Sequence, residues 1–160
     1  MTRIGKQRLA WALLLTLGWA TLLAGTAGAA PADLGLKARL IWGTDEPKPE
    51  GKNLQDLEPA LREKLRKVFK WKNYFKVSEH PITLARHQPT HVRLSHKCEI
   101  EVSYADDATI EVKLFGEGKH TGTVHKSAEA LRKGQLAIIA GDDKEKYGDA
   151  WFVVISANTP

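Results

Sequence analysis

The chain carries one cysteine, Cys98, and one methionine, Met1. A single thiol excludes an intramolecular disulfide framework and the zinc sites built from several cysteines. With 13 glycines and 7 prolines in 160 residues, the chain is not collagen-like or of low complexity. It has no G-x-S-x-G, no phosphate-binding glycine loop and no H-E-x-x-H. No motif therefore marks catalytic residues or a cofactor site, and the sequence is read as that of a non-enzymatic protein. Hydrophobic residues at 42% and charged residues at 27% are instead the proportions of an ordinary folded domain.

Long apolar runs are confined to the beginning. Arg3, Lys6 and Arg8 precede an apolar stretch from Leu9 to Ala24, followed by small residues up to Ala30. This is the layout of a secretory signal peptide, with Ala27-Gly28-Ala29 predicting cleavage after Ala29. The stretch also approaches the length of a spanning helix, so a retained anchor is the alternative. No cysteine at the cleavage site supports a lipoprotein. Residues 1–29 hold three cations and no acid, so their removal lowers the net charge from +5 to +2. A general nucleic-acid reading rests on overall charge and loses its support. The expectation is an exported protein, periplasmic or extracellular, with residues 30–160 as one domain.

The mature text is mostly of strand type. Leu36, Ala38 and Leu40 alternate with Lys37 and Arg39, predicting a first strand over 36–43. A loop over 44–55 follows, with Pro47, Pro49 and Gly51. Leu57, Leu61, Leu65, Val68 and Phe69 form one stripe at helical period, predicting a helix over 56–70 with Asp56 as N-cap and Pro59 in its first turn. Short strands are expected at 74–77 and 82–84, broken near Pro81, and at 90–94. The clearest alternation runs through Cys98, Ile100, Val102 and Tyr104, turns at 105–108, and resumes at Ile110, Val112 and Leu114. A further strand at 121–125 and a helical turn at 127–132 come next. The runs 136–140 and 151–155 are apolar on both faces and predict central, doubly covered strands, joined by a loop over 141–149. The fold class expected is α+β, mainly β. It is an antiparallel sheet or two-sheet sandwich of about eight strands, with one amphipathic helix after the first.

Two candidate sites emerge. Residues 61–76 hold seven cations against Glu63 alone, a local charge of +6, with Trp71, Tyr74 and Phe75 interleaved. A basic helix face of this kind suits anionic headgroups or acidic polymers, although long basic side chains also commonly solvate a helix. The proposed contacts are Arg62, Arg66, Lys67, Lys70, Lys72 and Trp71, toward an acidic protein or envelope polymer. The alternative is copper or zinc binding, since all six histidines lie between residues 80 and 125 and imidazole and thiolate suit these metals. Its ligands would be His87, His91, His96 and Cys98. Pro89 between His87 and His91 argues against a helical ligand pair, and Cys98 lies in phase with Ile100 and Val102, which favours burial. Glu99 and Glu101 share a strand face beside Lys97 and Lys113, so ion pairing is expected there rather than a catalytic carboxylate pair. The acidic loop residues Asp142, Asp143, Glu145 and Asp149 do not match a calcium-loop spacing.

The stretch from Leu61 to Glu79, together with Gly134-Gln135-Leu136, Gly141 and Trp151 to Ser156, resembles small exported β-rich proteins of environmental bacteria. That resemblance implies export and a β-rich domain and transfers no catalytic residue. The leading expectation is a non-enzymatic binding or assembly module of the cell envelope.

Overall fold

Strand β1 (Leu34–Thr44) lies at the centre of the architecture, between β3 (Asn73–Leu84) and β9 (Ala150–Ala157), and antiparallel to both. The computed structural model describes residues 33–140 and 148–158, all within the compact unit Pro31–Pro160. The expected leader over 1–29 and most of the expected loop 141–149 lie outside the described residues. β9 continues to β8 (Ala137–Ala140), and β3 to the two-residue β2 (Gln55–Asp56), giving a five-stranded sheet in the order β2-β3-β1-β9-β8. A second antiparallel sheet runs β4 (Thr90–Arg93), β5 (Cys98–Tyr104), β6 (Thr109–Gly116), β7 (Lys119–Ser127) in simple succession. Helix α1 is Pro59–Arg66 and α2 is Ala128–Arg132. The α+β, mainly β sandwich read from the sequence is thus the fold, with nine strands among the described residues.

The two faces of the first sheet enter different cores. Leu36, Ala38 and Leu40 of β1 and Val153 and Ile155 of β9 pack against Ile100, Val102, Ile110, Val112 and Leu114 of the second sheet. Ile41, Phe152 and Val154 point the other way, onto Leu57, Leu61 and Leu65 beneath α1. Full burial of such aliphatic and aromatic side chains stabilises by about 1.5–3 kcal/mol each. The register with β3 shifts between Leu40 and Ile41, where Val77 is the extra residue. The β5–β6 turn is fixed by Asp106, whose carboxylate accepts from the backbone N–H of Ala108 and of Thr109, both at 2.8 Å.

Several expectations are corrected. The helix spans Pro59–Arg66, shorter than 56–70, and Glu58 rather than Asp56 is its N-cap, because Asp56 pairs with Phe75 in β2. Past Lys67 the chain leaves the helix axis as Phe69 and Trp71 pack against Phe152, so Val68 drops out of the apolar stripe and is 66% exposed. β3 runs unbroken through Pro81, which lies opposite Lys37. β2 covers β3 only at Phe75 and Lys76, so Pro81 stands where that edge needs no N–H for a further strand. β9 is an inner strand with both faces buried, but β8 is an edge strand. Its Ala137 and Ile139 join the inter-sheet core while Leu136 and Ile138 flank the core beneath α1, so its apolar character reflects coverage of two faces, not a central place.

Arg39, on the supposedly wet face of β1, is only 8% exposed. Its guanidinium donates to Glu79 at 2.7 Å and to the Ser156 hydroxyl at 2.9 Å, while Lys76 reaches the same carboxylate at 3.3 Å. Burial pushes the Glu79 carboxyl up, but the hydrogen bonds and charges of Arg39 and Lys76 outweigh it and hold the group below its ordinary value. A depressed carboxylate contributes stability that is present above the unfolded-state value, about 4.3, and lost as pH falls through the lower folded value. Glu79→Gln is therefore expected to cost about 1–3 kcal/mol at pH 7, because it removes the carboxylate nearest the Arg39 guanidinium and leaves it only the more distant Glu58 at 3.9 Å and the Ser156 hydroxyl. Urea unfolding should show that deficit shrinking once the pH falls below about 4.

Gly43 lies directly beneath the Trp71 ring, and a Cβ there would stand 2.6 Å from Trp71 Cε3. Gly43→Ala is expected to destabilise by about 1–3 kcal/mol through overpacking, and thermal unfolding should record the lowered Tm.

Candidate functional site

The basic segment lies on the outer side of the first sheet. Leu61 and Leu65 anchor α1 to the sheet, which turns Lys64, Arg66 and Lys67 to solvent. Three cations of this segment are tied down by backbone oxygens. Lys64 Nζ donates to the Gly134 carbonyl at 2.7 Å, Arg62 to the Leu57 carbonyl at 3.4 Å, and Arg66 to the Lys72 carbonyl at 3.3 Å. The Gly134 oxygen is presented by the left-handed turn that ends α2, where Gly134 has φ 81° and its N–H donates to Leu131 O. Lys67, Lys70 and Lys72 are exposed and make no ion pair among the described residues. Trp71 is half-buried: its ring stacks on Phe152 at 5.9 Å and its Nε1–H donates to the Gly148 carbonyl at 2.7 Å. Its role in this structure is to hold the turn against β9.

The four proposed metal ligands are dispersed. His87 occupies the β3–β4 turn with φ 62°, and His91 on β4 meets Glu101 at 3.4 Å. His96 and Cys98 stand at the β4–β5 turn and the start of β5. Among the described residues no three His, Cys, Asp or Glu side chains come together as a metal site. His91 instead begins a row of paired polar side chains across the outer face of the second sheet. Glu101 pairs with Lys113 at 2.9 Å, Lys113 with Glu111 at 3.1 Å, and Glu111 with His125 at 3.0 Å. The hydrogen bond from Lys113 is the chief cause that keeps the Glu111 carboxyl below its usual range. Glu99 pairs with Arg93. The expected ion pairing of Glu99 and Glu101 is therefore present, though Lys97 pairs with Glu117 instead, at 3.1 Å. Of the acidic loop residues only Asp149 is described. It accepts from Thr44 Oγ1 at 2.6 Å and from Trp42 Nε1 at 3.2 Å, which ties β1 to the start of β9.

A feature not identified from the sequence is a cavity of about 610 Å³ between the two sheets. The ends of the sandwich differ. At one end α2 contributes Ala128 and Leu131 to the inter-sheet core, and the Ala128 N–H donates to Ala108 O beside the β5–β6 turn. At the other end, where β5 begins and β6 finishes, the described residues leave an opening floored by Leu40, Val153 and Leu114. Val77, the extra residue of the β3 bulge, and Trp151 form one wall. Trp151 stacks on Trp42 at 5.8 Å, and Trp42 meets Phe75 at the same distance, so an aromatic row continues the cavity wall along the sheet. The periodicity that placed Cys98 inward holds, but the thiol is half-buried against this cavity rather than sealed in the core.

No family model, curated protein or solved structure matches the chain. Among the described residues no helix is long and apolar enough to cross a membrane.

Burial, aided by the neighbouring Glu99 charge, pushes the Cys98 thiol up to about 11. The thiolate is the reactive form, so roughly one thiol in a thousand is ionised at pH 8. Alkylation of Cys98 by iodoacetamide is expected to run about 100-fold slower at pH 8 than that of an exposed cysteine, and to rise about tenfold per pH unit up to pH 10. A plateau below pH 9.5 in the rate profile would contradict this.

Proposed function

We propose that the chain is an exported, non-catalytic binding module of the bacterial cell envelope, and that α1 with the turn after it holds an acidic envelope polymer. Arg62, Arg66, Lys67, Lys70 and Lys72 supply the contacts. The observation that carries this reading is the exposed run Lys67, Lys70 and Lys72, without carboxylate partners among the described residues, on a segment anchored from below by Leu61, Leu65 and Phe69. Ammonium groups on long flexible stems suit a ligand of repeated charge better than a single shaped epitope. The two arginines, already hydrogen-bonded to backbone carbonyls, hold their charge at fixed places along the face. The leader expected over residues 1–29 supports export as the setting.

The test is calorimetric titration with poly-L-glutamate at about 20 mM and about 300 mM salt, where screening shortens from roughly 20 Å to below 10 Å. Wild-type protein should bind at low salt and release at high salt. The triple variant Lys67→Glu, Lys70→Glu, Lys72→Glu should bind at least about tenfold more weakly, with an unchanged Tm because the side chains are exposed. Equal binding by the variant would overturn the assignment. Salt-sensitive capture of an acidic protein from envelope extract, with no binding of the polymer, would replace polymer by protein as the partner.

A further inference from the structure

We propose that the cavity at the open end of the sandwich binds a single-chain carboxylate amphiphile, with its alkyl chain between the sheets and its carboxylate at Lys97. The site lies on the opposite face of the first sheet from α1 and is independent of the basic segment.

Its volume of about 610 Å³ falls within the range of about 300–1,000 Å³ that small-molecule sites occupy. The floor is aliphatic on both sheets, with Leu40 and Val153 from one and Leu114 from the other. No buried side-chain nitrogen or oxygen among the described residues lacks a hydrogen-bond partner, so nothing deep in the cavity calls for a polar guest. Face-to-face sheets stand roughly 10 Å apart, and side chains from both sides fill most of that gap, which leaves a slot suited to one extended chain. An apolar slot gains little from water, and an alkyl chain removes its surface from solvent.

The mouth has a different chemistry. Lys97 and His96 are adjacent and exposed there, with Ser95 beside them. Lys97 is fixed in place through the backbone, its N–H bonded to Ser95 Oγ at 3.2 Å and its carbonyl accepting from the Glu117 N–H at 2.9 Å. Its ammonium group pairs with the Glu117 carboxylate at 3.1 Å, but the two side chains are 65% and 70% exposed. Exposed ion pairs of this kind contribute little, so a ligand carboxylate can take the place of Glu117. Released from Glu117, the Lys97 ammonium stands at the opening of an aliphatic slot as the complement of a fatty-acid carboxylate.

Cys98, the sole thiol, lines the cavity and reports its occupancy. The test is the rate of N-ethylmaleimide labelling of Cys98 with dodecanoate or dodecanol, each below its aggregation concentration. Dodecanoate should slow labelling at least tenfold, and dodecanol less. Lys97→Glu should abolish the advantage of dodecanoate, while Glu117→Gln should lower the dodecanoate concentration for half-protection several-fold. Both substitutions are at exposed rim positions, so circular dichroism should show an unchanged fold. Unaltered labelling with both compounds would overturn the site. Equal protection by both, insensitive to Lys97→Glu, would overturn the carboxylate assignment.

Discussion

The double coverage of the first sheet, centred on β1 and β9, is the constraint from which the other features follow. Phe152 and Val154 face one way, Val153 and Ile155 the other, and all four are buried. Such a strand has no wet side, so the protein must supply a cover for each face. The second sheet covers one, and α1 with the aromatic turn Phe69–Trp71 covers the other. In the chain, the helix falls between β1 and β3, and the four-stranded meander between β3 and β8.

This arrangement also decides where charge can be placed. Arg39 shares its face with Ile41 and sits next to the α1 core, so it is drawn below the surface and held by Glu79 and Ser156, while Lys76 pairs with the same Glu79 carboxylate. On the outer face of the second sheet a paired row from His91 to His125 keeps its two imidazoles exposed, with Glu101 and Glu111 half-buried between them. α1 lies on the outermost layer and presents to solvent the cations that its buried leucines do not occupy. The two candidate sites are consequences of the same packing, one on the cover of the first sheet and one where, among the described residues, a cavity remains between the two sheets.

Much of the fold was legible in the residues. The alternation from Cys98 to Leu114 marked β5, its turn and β6 to within one or two residues, because a strand with one wet face writes a period of two into its sequence. Leu61 and Leu65 marked the buried face of α1 for the same kind of reason. The errors fell where a tertiary partner overrode a local signal. Val68 and Phe69 continue the helical period but belong to a turn pulled away by Trp71 and Phe152. Pro81 signals a break, yet it lies on a stretch of β3 that β2 does not cover. Of the candidate sites, the basic face was legible as a run of like charge. The cavity was not, since Leu40, Val77, Leu114 and Val153 read as ordinary core residues in four separate strands.

By itself the sequence determined the class of fold, the inward phase of each clear strand and the concentration of positive charge in residues 61–76, because these are properties of neighbours along the chain. Only the tertiary structure decided that β8 lies at an edge, that Arg39 is buried and that the proposed ligands His87, His91, His96 and Cys98 do not form a metal cluster. It also decided that one end of the sandwich is filled by α2 while, among the described residues, a cavity remains beside Cys98 at the other. Each of these depends on which strands become neighbours across long separations in the chain, and on how far the side chains of two opposed sheets reach toward one another. No local pattern encodes either.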